Sequence, residues 1–311
     1  MSDEQQVDRW IEYAHDMIDQ GIANQAIDAL KRALSVDPDR SDAHALLALC
    51  LIDERRLHAA EHEAHAAMLC DADDPLVHGA MAQVLLARRK PKAAWGHVAL
   101  ALELDPDEPY LYRTAAQIRL QQNDVDEARS LLDQALEIDP DDAVTLGDLA
   151  WLALRAGALE QAVARAGEAL AENPEYIDGH VILGQVALRK GDVAGARDHL
   201  RAALQINPGD PDAIRLLASI KARESLFLGV WWRFAAWIST RSETGQMAAL
   251  MGAFVVAQLA IILARNAGAG GLQTLFTLTW VGLCVYTWVA PSMFQRAIDA
   301  ELNQIELVDE F

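Results

Sequence analysis

The chain is 311 residues long, carries a formal net charge of −20 and is 52% hydrophobic. That acidity argues against a nucleic-acid binder, because phosphate backbones demand basic surfaces. Three cysteines (Cys50, Cys70 and Cys284) are too few and too scattered for a disulfide framework, and read as buried small residues of a reducing compartment. The start, Met1-Ser2-Asp3-Glu4-Gln5-Gln6, has neither a basic residue nor an apolar run, so no cleavable secretory signal is expected.

Along the chain, Asp105-Pro106, Asp139-Pro140, Asn173-Pro174 and Asn207-Pro208 recur every 34 residues. The same period reaches back to Ala72 and to Pro38. It sets repeats starting near Val7, Ser41, Pro75, Pro109, Ala143 and Ile177, with a half-unit at Pro211. A period of this size signals stacked supersecondary units, not a single compact core. Small residues hold fixed places. The first series is Ala14, Ala48, Ala82, Ala116, Ala150, Gly184 and Ala218; the second is Ala26, Ala60, Ala94, Ala128, Ala162 and Ala196. A third runs Ala33, Ala67, Ala101, Ala135, Ala169 and Ala203. Such residues let two antiparallel helices approach closely, while Leu47, Leu85, Leu132, Leu149, Leu183 and Leu200 fill the gaps. Gly21, Gly157 and Gly191 fall where the first helix of a unit must end.

This pattern resembles the tetratricopeptide repeat family over roughly residues 7–223. The resemblance implies an all-α superhelical solenoid of six repeats plus a capping helix, whose work is to bind other proteins. Departures are mild. The early Trp of the family survives only as Trp10, with His44, His78, Tyr112, Leu146, His180 and Ile214 in its place later. Repeat 2 lacks its proline, and Arg119 takes a usually apolar slot.

In that family the first-helix positions 2, 5, 9, 12 and 13 line a concave peptide-binding groove. Position 13 here runs Asp19, Asp53, Ala87, Gln121, Arg155, Arg189 and Arg223, from acidic to basic. The resemblance therefore implies a groove site of Tyr110, Arg113, Gln117, Trp151, Arg155, Gln185, Arg189 and Arg215. Arginine forks beside aromatic residues suit an acidic or carboxylate-bearing partner segment. The opposing reading pairs these arginines with nearby acids such as Asp178 and Asp212, or with anionic lipid. The clamp of the chaperone-binding subclass is disfavoured, because its slots hold Ile11, His15, Ala45, Leu49, Gly79 and Gln83.

Beyond residue 223 the composition changes. Residues 224–245 read as a juxtamembrane segment, and 226–238, rich in Trp, as a helix lying at a membrane interface or capping the solenoid. Residues 246–294 read as a transmembrane hairpin with spans at 247–264 and 272–294, and 295–311 as an acidic tail. Ala249, Ala253 and Ala257 form a small-residue stripe suited to close packing. Pro291 is expected to mark the exit of the second span. Charge near the membrane places the repeats and both termini in the cytoplasm, as in a bacterial inner membrane protein of two spans. Transport by the hairpin alone is not expected, because neither span holds an acidic or basic residue.

His58-Ala59-Ala60-Glu61-His62 matches an H-x-x-E-H zinc-peptidase pattern, with His65 as a third imidazole. Ala60, Ala64 and Ala67 take the inward face of that helix, so the histidines point to solvent without a pocket. A metal-dependent hydrolase at His58, Glu61 and His62 is therefore the unlike alternative, and no enzyme activity or cofactor is expected. The leading expectation is a membrane-anchored scaffold that recruits partners. Beside it stand an assembly factor docking a larger membrane complex through the hairpin, and self-association with the tail as groove ligand.

Overall fold

The computed structural model describes residues 3–19, 22–224, 238, 243–268 and 270–306. Among the described residues every regular element is a helix. In the first half these are α1 (Asp3–Asp19), α2 (Ala23–Val36), α3 (Ser41–Asp53), α4 (Leu57–Cys70), α5 (Pro75–Ala87), α6 (Pro91–Leu104), α7 (Pro109–Gln121) and α8 (Val125–Ile138). Then come α9 (Ala143–Ala156), α10 (Leu159–Glu172), α11 (Ile177–Lys190), α12 (Val193–Ile206) and α13 (Pro211–Glu224). The last two are α14 (Glu243–Asn266) and α15 (Gly270–Glu306). The chain divides into two compact units, Met1–Leu152 and Ala153–Phe311.

In the first unit α1 packs on α2, α3 on α4, α5 on α6 and α7 on α8, and each hairpin packs on the next. In the second unit α11 pairs with α12, α10 packs on α11, and α13 closes on both α11 and α12. All twelve alanines of the second and third series have no solvent exposure. They sit where helix meets helix, and the fully buried Leu30, Leu111, Leu132, Leu200 and Leu216 fill the space between.

The 34-residue period has a concrete origin in the turn after each second helix. Asp37, Asp71, Asp105, Asp139, Asn173 and Asn207 cap these helices in extended backbone, with φ between −127° and −149°. Each donates its N–H to the alanine carbonyl four residues back, from Ala33 through Ala203. Each also accepts, through its side chain, the N–H two residues on. Proline in the next position favours the extended residue before it. Asp71 makes the same turn with Ala72 in the proline's place, its Oδ1 2.9 Å from the Asp73 nitrogen. The aspartate therefore sustains the turn, and the missing proline of repeat 2 leaves it intact.

First helices end in left-handed backbone. Gly157 and Gly191 adopt φ of 80° and 87°, and Arg55, Arg89 and Asn123 hold 56°, 60° and 65° at the equivalent places. Gly21 lies outside the described residues. Helix starts are capped by Asp74, Glu108, Asp124 and Asp192, whose side chains accept early N–H groups of α5, α7, α8 and α12.

The C-terminal part departs from expectation. Helices α14 and α15 pack together, with the Phe254 and Trp280 rings 6.0 Å apart. Yet among the described residues no helix is long and apolar enough to cross a membrane. This overturns the two-span anchor and the cytoplasm-facing inner-membrane placement drawn from the sequence. Gln258 interrupts the apolar run of α14, and Gln273 with Thr274, Thr277 and Thr279 interrupts that of α15. Helix α15 also runs on through Pro291 to Glu306, into the segment expected to be a tail. Thr274, Thr277 and Thr279 donate their hydroxyls to carbonyls four residues back, on Gly270, Gln273 and Leu275. The interfacial helix expected at 226–238 lies outside the described residues apart from Ile238. The side chains of Ala249 and Ala253, in the expected small-residue stripe, lie outside them too.

Candidate partner-binding groove

The residues expected to line the groove divide between the two units. In the first unit, Tyr110 is turned into the contact between α5 and α7. A Cβ placed on Gly79 would meet its ring at 2.9 Å, so glycine is what admits the tyrosine. The phenol oxygen is buried without a hydrogen-bond partner among the described residues, and burial pushes its pKa well above the ordinary value. Tyr110 is thus a packing residue before it is an anchor. Arg113 lies 3.5 Å from Asp142 through its Nε. Asp142 in turn accepts the N–H groups of Val144 and Thr145, capping α9. Gln83 donates its amide to Thr114 Oγ1 at 2.9 Å and to Gln117 Oε1 at 3.3 Å. Arg113 and Gln117 therefore tie neighbouring first helices together. Trp151 stays 41% exposed.

In the second unit Arg155 is exposed. Arg189 donates from Nη1 to the Leu154 carbonyl at 2.6 Å, in the last turn of α9. Gln121 does the same one repeat pair earlier, donating to the Leu86 carbonyl at 3.0 Å. Position 13 thus adds a second donor to a carbonyl at the C-terminus of the preceding first helix, which already accepts the N–H three residues on. Among the described residues the Arg189 guanidinium makes no further hydrogen bond or ion pair. Arg215 reaches Asp212 at 2.8 Å and donates from Nε to the Pro211 carbonyl, yet its side chain is 67% exposed. Burial and the charges of Asp210 and Asp212 push the Asp178 carboxyl up.

Gln185, Leu188, Arg189, Arg215, Leu216 and Ser219 line one open pocket of about 380 Å³. Three of these are residues the sequence pattern picks out. Ser219, which it missed, falls at position 9 of the capping helix and donates its hydroxyl to the Arg215 carbonyl. The pocket has an apolar floor from Leu188 and Leu216, with two guanidinium groups above it. Guanidinium groups beside apolar side chains are chemically suited to a carboxylate on an apolar stem.

The histidine motif of α4 builds no comparable site. His58, His62 and His65 are exposed, and Glu61 is held in an ion pair by Arg88. Among the described residues no three metal-ligating side chains come together. The odd Arg119 lies 3.6 Å above the Trp95 ring, a cation–π contact that lets a charge occupy an apolar slot. Of the cysteines only Cys50 is buried as expected, its thiol pushed up to about 11 by burial; Cys70 and Cys284 are exposed.

Tetratricopeptide repeat sequence profiles match residues 17–84, 85–152 and 148–211. Solved structures of the same fold include TTC0263, a thermophilic tetratricopeptide repeat protein of Thermus thermophilus. It is 19% identical, over 58% of this chain and 99% of that one, with a TM-score of 0.54. The Cut9 and Hcn1 tetramer of the APC/C matches at 16% identity, over 69% of this chain and 42% of that one, with a TM-score of 0.55. PilW, a type IV pilus biogenesis factor, matches at 18% identity, over 68% of this chain and 98% of that one, with a TM-score of 0.50. No curated protein matches the chain in sequence. The profile matches extend over more than half of the chain, which belongs to the tetratricopeptide repeat family.

Proposed function

We propose that this protein is a non-catalytic scaffold that binds an acidic, extended segment of a partner protein through the groove of its second unit. The observation that carries this reading is the convergence of Gln185, Arg189 and Arg215 on one pocket with an apolar floor. The ion-pair partner of Arg215 among the described residues is the half-exposed Asp212, and solvent-accessible ion pairs contribute little and exchange readily. A partner carboxylate can displace Asp212 from Arg215 and take the free side of the Arg189 fork, while Gln185 and Ser219 offer further polar contacts. The chain as a whole is acidic, so selection of an acidic segment must be local and contact-driven.

Fluorescence anisotropy on the full chain, with a labelled peptide of alternating Glu and Leu and its Lys and Leu counterpart, tests this. The acidic peptide is expected to bind more tightly. Arg189→Glu with Arg215→Glu is expected to weaken it at least about tenfold, as loss of charge-assisted contacts of about 1.5–3 kcal/mol implies. Equal affinity for both peptides, or an unchanged affinity in the double variant, would refute the reading.

A further inference from the structure

Histidines at position 4 of three first helices make one repeated arrangement. His44, His78 and His180 each place Nε2 against a carbonyl six residues back: Pro38 at 3.0 Å, Ala72 at 2.8 Å and Pro174 at 3.2 Å. A carbonyl only accepts, so in each ring the Nε2 carries the proton and the Nδ1 of the neutral imidazole is an acceptor. That Nδ1 faces the residue 19 positions on, across the hairpin on the second helix. In repeat 2 this residue is Glu63, 2.7 Å from His44 Nδ1. In repeat 3 it is His97, with Nδ1 to Nδ1 at 3.0 Å and ring centroids 5.3 Å apart. In repeat 6 it is His199, with centroids 5.8 Å apart, and His180 Nδ1 is buried with no hydrogen-bond partner among the described residues.

The partner decides what acid does. A carboxylate opposite Nδ1 welcomes a second proton on the ring. An imidazole opposite Nδ1 admits a single proton between the two nitrogens. When both rings are fully protonated, two N–H bonds and two positive charges face each other, with His78 only 3% exposed. Burial of His78 limits how far water dilutes the charge there, while His97, His180 and His199 are half-buried. We propose that the His78–His97 and His180–His199 pairs are acid-sensitive latches that loosen α5 from α6 and α11 from α12 on acidification.

The neighbouring charges agree for one pair and compete at the other. His97 is held below the ordinary histidine value by burial first, then by His78 of α5 and His65 of α4. His199 is lowered by burial and by His180, against the opposing pull of Asp198 and Asp192. A histidine whose folded value lies below its unfolded value of about 6.5 contributes stability above that pH. The contribution is lost as pH falls through about 6.5, because the unfolded chain then binds more protons.

Hydrogen exchange on the full chain between about pH 7.5 and 5.0, corrected for intrinsic exchange, reads the opening. Protection of α5 and α6 is expected to fall below about pH 6.5 by up to about tenfold per pH unit. It is expected to stay flat in His97→Gln, whose amide still donates to His78 Nδ1 without charging. The hairpin of His44 and Glu63 should not share the fall. An undiminished fall in His97→Gln would overturn the proposal. So would added zinc raising protection in the wild type but not in the variant, since the pair would then hold a metal ion. If the variant does not fold, the imidazole NMR titration of His97 in the wild type decides: a midpoint below about 6.5 supports the latch, and one at or above it removes it.

Discussion

Arg55, Arg89 and Asn123 occupy left-handed backbone at the places where Gly157 and Gly191 sit in later repeats. For a side chain with a Cβ that conformation costs about 1–2 kcal/mol, which asparagine partly escapes. Glycine avoids the cost but loses about 0.5–1 kcal/mol of chain entropy on folding. Arg89 is exposed, so little packing is lost on replacing it. Arg89→Gly is therefore expected to stabilise the protein by about 0.5–1 kcal/mol. The check is a thermal melt, with a rise of about 2–4 °C per kcal/mol; a fall would mean that the arginine makes a compensating contact. The sequence shows this turn at Gly157 and Gly191 but hides it at Arg55 and Arg89, because residue type alone does not report φ. Arg189 is a similar case. Its period and charge mark it for the groove, but its bond to the Leu154 carbonyl depends on where the preceding helix ends.

At the scale of helices, small residues decide how closely neighbours approach, and glycine is used for two unlike purposes. Gly184 takes the first small position of α11, where a Cβ would meet Leu216 Cδ2 of α13 at 2.5 Å and the Ala196 carbonyl at 3.4 Å. Leu216 is 1% exposed and has nowhere to withdraw. Gly184→Ala is expected to cost about 1–3 kcal/mol through overpacking. At Gly96 and Gly167 the same methyl meets nothing within 4 Å. There alanine should stabilise the helix by about 0.5–1 kcal/mol. Denaturant melts of Gly184→Ala and Gly96→Ala should thus move in opposite directions; a stabilised Gly184→Ala would refute the close approach. The small-residue series was legible because burial at these places repeats with the period. The packing of the Tyr110 ring was not legible, because the groove pattern gives its position, while Gly79 on the neighbouring helix decides where its ring lies. The apolar run of α14 and α15 misled for a related reason. Hydropathy read as a continuous span misses that α15 carries on past Pro291 to Glu306.

Within each of the two compact units, helix hairpins find their contacts mainly in the hairpins beside them. Stability in such an array is close to a sum of repeat and nearest-neighbour terms, so damage stays local. Gly184→Ala provides the test, since its strain falls between α11 and α13 at the closing end of the second unit. Hydrogen exchange at neutral pH, away from the acid range in which the proposed latches are tested, should show lost protection in α11, α12 and α13. The amides of α1 through α6, in the other unit, should exchange as in the wild type. A uniform loss across both sets would mean that the chain opens as one cooperative body, and the nearest-neighbour account would fail. Local failure also bears on function, because Gln185 and Arg189 stand on α11 and Arg215 on α13. The proposed acidic-segment pocket would then be lost in Gly184→Ala while the first unit remained folded, which separates a damaged site from an unfolded protein.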